Sequence, residues 1–588
     1  MSVISFFNRC PLLRGFLRAV AQPLCVVLLG LSSATASESP RSLLDGMVEM
    51  RDGVRLLTDV YLPEGAGPFP VILSRVPYGT KSDYIFQPAV GEYFTRHGFA
   101  YVAQNVRGRF GSEGLFKAYT TEQEIPDAFD TVDWIIKQDW SNGNVGVMGE
   151  SYFGYTTLMA AVSGHPAIKA ISPANITLAR EMQSLDGSFP LQASGMWTLD
   201  MDDVVKGEYQ DTSNVDLYHL PLITMGSAHG LRDVLWRERV SGYSADPNEL
   251  IQSAAAYYRK IRVPALHFGG WYDSFTRGSI AIWDGVRHSS EDPQARDLQW
   301  LVMGPWDHNT MSWHLSGSPP PTNIGRLELG DTAVSTYGET LVQFFNFFLK
   351  GESNGFDQRP RVSYFNIGEN EWRTAENWPP AGQHEQVLYL REGGVLSPQP
   401  PEEAGVDEYQ YDPKKPVTIT AETDVWGRAE SLPDRQTLLE RADVLDYQTE
   451  PLEQSLDITG PVSLDLYASS SALNTDFTAA LVDVHPDGYS LLIQEGILRA
   501  SHRDKTQKPS HIVPGQVYPF TIDVWATSYT LPAGHRLRLE ISSSNFPRFA
   551  RNLNNGEPFG MSDRIEIATQ KVFRSSEHPS RLRLPVLP

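Results

Sequence analysis

Cysteine is nearly missing from this chain: its 588 residues include two, Cys10 and Cys25, and both fall in the first 36. The rest of the chain therefore offers no disulfide, no thiol nucleophile and no cysteine-based zinc site. Long apolar runs are missing too. The run Leu24-Cys25-Val26-Val27-Leu28-Leu29-Gly30-Leu31 is far shorter than the ~20 residues that cross a bilayer. No cluster of Lys and Arg is long enough to hold a polyanion, and 49 basic against 71 acidic residues leave a net charge of −22. Such a field repels phosphate backbones, which excludes nucleic acid as a partner. What remains is an ordinary globular balance, 41% hydrophobic and 20% charged. At this length it predicts about three to five domains.

The first 36 residues hold Arg9, Arg14 and Arg18 and no acid, then the apolar run, then Ser32-Ser33-Ala34-Thr35-Ala36. A basic start, a short apolar stretch and an Ala-x-Ala ending predict a secretory signal peptide over 1–36. Gln22-Pro23-Leu24 precede Cys25 at the start of the apolar run, which is the wrong place for a lipoprotein cysteine. The expected product is a periplasmic or secreted protein without a stable membrane anchor.

Over 45–174 strands and helices alternate: Asp59–Leu62, Val71–Ser74, Phe99–Val106 and Val145–Met148 read as strands, Ala128–Lys137 as an amphipathic helix. Interleaving of this kind predicts a parallel sheet with helices on its faces. Residues 175–260 break the rhythm; they lean helical, are rich in Met, Tyr and Trp, and read as an inserted cap. The rhythm returns over 261–352 with the strands Ala265–Phe268 and Leu298–Met303 and the helix Glu339–Lys350. From 358 to 588 short β-rich runs alternate with Pro, Gly and Asp/Asn turns, which predicts a β-sandwich or jelly roll.

The sharpest chemical signal is Gly149-Glu150-Ser151-Tyr152-Phe153-Gly154, lying between the strand Val145–Met148 and the helix-like Tyr155–Ala161. A tight strand-to-helix turn with small neighbours is how a serine hydroxyl is exposed as a nucleophile. Phe153 stands where the usual pattern has its second glycine. A serine needs an imidazole to take its proton, and the imidazole needs a carboxylate to fix its tautomer. The next two strands end in Gly269-Gly270-Trp271-Tyr272-Asp273 and Gly304-Pro305-Trp306-Asp307-His308, which supply an acid and a base in the order Ser, Asp, His. His165, His229 and His267 are weaker bases by position, and Asp307 is a weaker acid because it adjoins His308. The backbone N–H of Tyr152 is one donor for a developing oxyanion, and the hydroxyl of Tyr78, in Arg75-Val76-Pro77-Tyr78-Gly79, could be another.

Six segments in order then resemble the cocaine esterase-like hydrolases: Val48–Pro63, Arg75–Gly79, Asn105–Gly114, Gly149–Gly154, Gly269–Asp273 and Gly304–His308. This group also holds glutaryl-cephalosporin acylases, α-amino-acid ester hydrolases and X-Pro dipeptidyl-peptidases. The likeness continues through Asp476–Arg503 into Tyr529–Leu553. It implies an α/β-hydrolase domain with an inserted helical cap and a C-terminal β jelly roll. It makes Ser151 the nucleophile, Asp273 the acid and His308 the base, with Tyr78 and the Tyr152 amide around the oxyanion. In this group the motif resembles Gly-x-Ser-Tyr-x-Gly, which accommodates Phe153. Where the amino-acid ester hydrolases place acids after the triad acid, this chain has Ser274-Phe275-Thr276-Arg277. That departure counts against substrates with a free amine.

The sequence therefore reads as a secreted serine hydrolase cleaving carboxylic esters or acyl-amides through an acyl-enzyme, with X-Pro-type dipeptidyl-peptidase or aminopeptidase activity as the alternative. A binding protein built on the β domain is the competing class, and the intact Ser/Asp/His set argues against it. No metal or organic cofactor is implied. The expected partner is a small ester, amide or short peptide, and assembly into a homo-oligomer is left open.

Overall fold

The structure is a computed structural model that describes residues 41–588 apart from 83, 179–185, 244–246, 313–314, 316–321, 403 and 419–430. The expected signal peptide, 1–36, lies outside the described residues.

Twelve strands precede residue 376: β1 Arg41–Glu49, β2 Arg55–Leu62, β3 Phe69–Val76, β4 Ala100–Asn105, β5 Ser141–Glu150, β6 Ile168–Ala174, β7 Ala265–Gly270, β8 Gln299–Gly304, the short pair β9 Asn323–Ile324 and β10 Leu327–Glu328, β11 Val362–Asn366 and β12 Glu371–Ala375. Ten form one sheet in the order β1-β2-β4-β3-β5-β6-β7-β8-β11-β12. From β4 to β11 every pairing is parallel, and antiparallel strands extend each edge. The central strands are buried along their length, because helices cover both faces and leave no side for water. The helix Tyr152–Val162 is apolar all round, as a helix enclosed on every side must be.

Between β6 and β7 the described residues form helices and turns, among them Met196–Asp200, Val234–Ser241 and Pro247–Lys260. This agrees with the expected cap.

One boundary differs from expectation. The helix Tyr337–Lys350 ends on Gly351 in the left-handed conformation, φ 71°. The first sheet does not end there: β11 returns beside β8, pairing Val362 with Leu301, and β12 folds back on it. The stretch after 358 therefore begins with two strands of the hydrolase sheet. A short β-rich run such as Val362–Asn366 looks alike in either sheet, since its pattern records burial and not its neighbour.

The remaining strands, β13 His384–Arg391, β14 Val395–Ser397, β15 Val406–Tyr411, β16 Leu445–Gln448, β17 Leu456–Ser470, β18 Asp476–Val484, β19 Ser490–Arg499, β20 Tyr518–Leu531, β21 Arg536–Ser542, β22 Ala568–Phe573 and β23 Arg581–Leu587, form a second, β-rich system. All its pairings are antiparallel except β14 with β16. Its core is continuous with the hydrolase sheet through Trp271, Leu301 and Phe365. β19 also holds a loop of the first domain: Gln494 Nε2 donates to the Trp271 carbonyl at 2.7 Å, and the Tyr272 hydroxyl donates to the Leu492 carbonyl at 3.1 Å.

Candidate active site

Ser151, Asp273 and His308 follow β5, β7 and β8, all at the carboxyl edge of the parallel strands, where open α/β sheets bind their ligands. At Ser151 the chain reverses with φ 58° and ψ −131°, a strained conformation for a residue with a side chain. Backbone bonds hold it there: Ser151 N–H donates to the Ala174 carbonyl at 3.0 Å, and Tyr155 N–H to the Ser151 carbonyl at 3.1 Å. The turn is tight enough to exclude side chains at two places. A Cβ on Gly149 would lie 2.3 Å from the Phe153 carbonyl oxygen, and one on Gly154 would lie 2.9 Å from the Ala174 carbonyl oxygen. The second small residue belongs at 154, where the helix meets β6, and position 153 is free to carry phenylalanine.

The three side chains come together in the expected order. His308 Nε2 lies 2.9 Å from Ser151 Oγ, and His308 Nδ1 lies 2.6 Å from Asp273 Oδ2. The other oxygen of Asp273 accepts the Phe275 N–H at 2.5 Å, so the carboxylate is fixed at both ends. Gly270 allows the two loops to meet, since a Cβ there would lie 2.1 Å from the Trp306 carbonyl oxygen. Burial opposes charge on the His308 ring, but the Asp273 carboxylate, with Glu150 and Asp307 behind it, outweighs burial and raises its pKa above the ordinary value. Asp307 itself accepts the Asn309 and Thr310 N–H groups at 2.9 and 3.0 Å, a turn-forming role. His267 is spent on Gln299 at 2.9 Å, and His229 on the Met225 carbonyl at 2.8 Å.

The Tyr78 hydroxyl reaches the Ser151 side chain and the Tyr152 backbone N–H, and burial pushes its pKa up to about 12, so it stays a neutral donor. Trp197 Nε1–H donates to the Tyr78 oxygen at 3.0 Å, which occupies a lone pair and leaves the O–H to point elsewhere. Arg109 braces the loop from behind: its Nε donates to the Pro77 carbonyl and its Nη1 to the Met201 and Glu208 carbonyls, each at 3.1 Å. Asn105 Oδ1 accepts the Thr80 N–H at 2.9 Å. Trp197, Glu208 and Tyr209, whose hydroxyl donates to the Tyr78 carbonyl at 3.1 Å, come from the cap, so the cap completes the Tyr78 setting. Below the elbow, the Tyr152 hydroxyl donates to Glu124 at 3.0 Å, and Glu124 pairs with the fully buried Arg75 at 2.9 Å.

A narrow pocket of about 60 Å³ adjoins the site, lined by Phe275, Ser194, Ile497, Trp525, Phe549 and Arg277 among others. The Phe275 ring sits 5.3 Å from that of His308. All three parts of the chain line it, and the β-rich part supplies Ile497, Trp525 and Phe549. Arg277 is bound to the cap residue Asp186 at 2.5 Å and approaches Asp523 at 3.5 Å, and Lys505 also pairs with Asp186 at 2.8 Å. A larger cavity of about 340 Å³ lies between the cap and the β-rich part; neither cavity is lined by Ser151, Asp273 or His308, and the small one borders the site through Phe275.

Sequence reasoning missed Trp197, Tyr209 and Phe275. Arg109 and Asn105 lay in the quoted Asn105–Gly114 segment without a role. The described residues also hold one convergence of metal-ligand types, Asp483, His485 and His535, where none was expected; the Asp-x-His spacing was its available signal.

Comparison with known proteins finds relatives along nearly the whole chain. Residues 52–310 match the X-Pro dipeptidyl-peptidase (S15) family, and residues 354–583 match the X-Pro dipeptidyl-peptidase C-terminal non-catalytic domain. The chain is 33% identical to a cocaine esterase of Rhodococcus sp. (strain MB1 Bresler), over 92% of this chain and 98% of that protein. It is 27% identical to a putative serine esterase of Mycobacterium bovis, over 92% and 94%. Among solved structures, an aminopeptidase from a marine sediment archaeon superposes with a TM-score of 0.82 at 27% identity, covering 96% of this chain and 99% of that one. An α-amino acid ester hydrolase superposes with a TM-score of 0.79 at 28% identity, covering 95% and 98%.

Proposed function

The chain belongs to the cocaine esterase-like serine hydrolases of the X-Pro dipeptidyl-peptidase (S15) family, and from that premise we propose that it cleaves carboxylic esters or acyl-amides through an acyl-enzyme on Ser151. The observation that carries this reading is the chain of contacts Ser151–His308–Asp273 at 2.9 and 2.6 Å.

Ser151 Oγ attacks the substrate carbonyl carbon while His308 Nε2 takes its proton. Asp273 holds the ring with Nδ1–H toward the carboxylate and stabilises the imidazolium. Negative charge on the former carbonyl oxygen is met by the Tyr78 O–H and the Tyr152 N–H, the latter at a helix N-terminus. His308 then gives its proton to the departing alcohol or amine, leaving an ester on Ser151. Water, deprotonated by the same nitrogen, reverses the sequence and frees the acid. The buried Tyr78 remains protonated throughout.

The substrate reading follows from charge. An ammonium group beside the scissile bond loses its hydration and needs a carboxylate in return. Among the described residues, the cap carboxylate that lines this pocket, Asp186, is already paired with Arg277 and Lys505. Neutral acyl groups fit better. The likeness to an aminopeptidase and to an α-amino acid ester hydrolase supports a second reading, cleavage beside a free amine. The test compares kcat/KM for an α-amino ester with its N-acylated counterpart at one leaving group, with X-Pro peptides alongside. The expected result is faster cleavage of the N-acylated ester. Preference for the free amine by about tenfold, roughly 1.4 kcal/mol in the transition state, establishes the second reading instead. We further infer that the protein is exported.

A further inference from the structure

At the end of the β-rich part that faces the hydrolase sheet, two turns approach each other. One follows β18 and carries His485, with Asp483 just before it at the end of the strand; the other joins β20 to β21 and carries His535. The three donor atoms lie within 4.8 Å of one another. His535 Nδ1 is 2.7 Å from Asp483 Oδ1, and His485 Nε2 is 3.6 Å from Asp483 Oδ2. Around a tetrahedral zinc ion with bonds of about 2.0–2.1 Å, neighbouring donors are roughly 3.3 Å apart, and these two separations bracket that spacing.

Two features mark the cluster as more than an ion pair. His485 Nε2 is buried and has no hydrogen-bond partner, a cost that native structures seldom leave uncompensated. Both rings approach one carboxylate, with centroids 4.5 Å apart, so three ligand-type groups converge on one point. The carboxylate is braced from outside, as metal-binding carboxylates are: the Tyr529 hydroxyl donates to Asp483 Oδ2 at 2.8 Å. Both rings retain some solvent exposure.

We propose that Asp483, His485 and His535 bind one divalent transition-metal cation of the zinc type. Two imidazoles with one carboxylate suit zinc and its neighbours and not the oxygen-seeking calcium or magnesium. The ion would staple the β18–β19 turn to the β20–β21 turn. β19 holds the Tyr272 hydroxyl through the Leu492 carbonyl, so the staple stiffens the support behind the loop of Asp273.

The test uses full-length protein purified without a polyhistidine tag, stripped with chelator, and carrying His308→Ala so that the imidazole at Ser151 cannot compete. Calorimetric titration with zinc chloride is expected to show one site per chain and a raised Tm, with no binding of calcium or magnesium. His485→Ala should weaken zinc binding at least about tenfold, the lower bound seen even when groups outside the ligand shell are removed. His485→Gln repeats the test with side-chain bulk kept, and circular dichroism verifies the fold of each variant. Undiminished zinc affinity in folded His485→Ala and His485→Gln, or no saturable zinc binding in the parent, overturns the proposal.

Discussion

Tyr78→Phe removes one hydroxyl and keeps the ring, and the structure specifies two consequences of different size. Tyr78 is 3% exposed, its ring meets Tyr84 and Phe153 edge-on, and its oxygen accepts the Trp197 indole N–H. The first consequence is kinetic. With the O–H gone, the oxyanion keeps the Tyr152 amide alone, and loss of one such donor costs about 10²–10³ in kcat, roughly 2.7–4 kcal/mol. KM should move far less, because the bond matures only in the transition state. The second is structural: the Trp197 N–H is left buried without an acceptor, at about 1–3 kcal/mol of folding stability. The assay is steady-state hydrolysis of a p-nitrophenyl ester whose acylation is rate-limiting, with urea unfolding of the same samples. Trp197→Phe serves as companion: it removes the indole that orients the hydroxyl and should lower kcat by less than Tyr78→Phe. A Tyr78→Phe enzyme with kcat within about threefold of wild type would refute the oxyanion role and reduce Tyr78 to packing.

Two further outcomes follow from the site and from the proposed export. His308 must be neutral to accept a proton, and its pKa is raised, so kcat/KM should fall as pH drops through a value above 6.5. Glu150 is one of the charges that raise it, so Glu150→Gln should shift that acidic limb to lower pH; a limb unmoved or shifted upward contradicts the electrostatic account. Because burial also raises Glu150, the limb is a property of the pair. Expression in a Gram-negative host should give a periplasmic protein with a new N-terminus at or near Ser37, as mass spectrometry can read; residues 1–36 retained on soluble cytoplasmic protein contradict export.

Much of the site was legible because its residues sit where local pattern changes. Ser151 stands between a buried strand and an apolar helix, and Asp273 and His308 each follow a strand that ends in glycine. The turn at Ser151 needs glycine at 149 and 154 for contacts within a few residues, so the motif itself records the geometry. Trp197 and Tyr209 were not legible for the opposite reason: they meet Tyr78 across 119 and 131 positions of sequence, and an aromatic in a helical insert looks like core. The edge of the hydrolase sheet was misplaced because β11 and β12 carry no mark of which sheet they join. Arg277 shows the same limit. The sequence shows that no acid follows Asp273 there, but only the fold reveals that Asp186 and Asp523 face Arg277.

The central claim is that chemistry passes through a covalent ester on Ser151. The direct measurement is rapid acid quench of the enzyme during turnover of a p-nitrophenyl ester, followed by peptide mass mapping. The account predicts the acyl mass on the peptide containing Ser151, with a p-nitrophenol burst near one equivalent per site, and neither signal in Ser151→Ala. An acyl group on another residue, or undiminished turnover by Ser151→Ala, would contradict it.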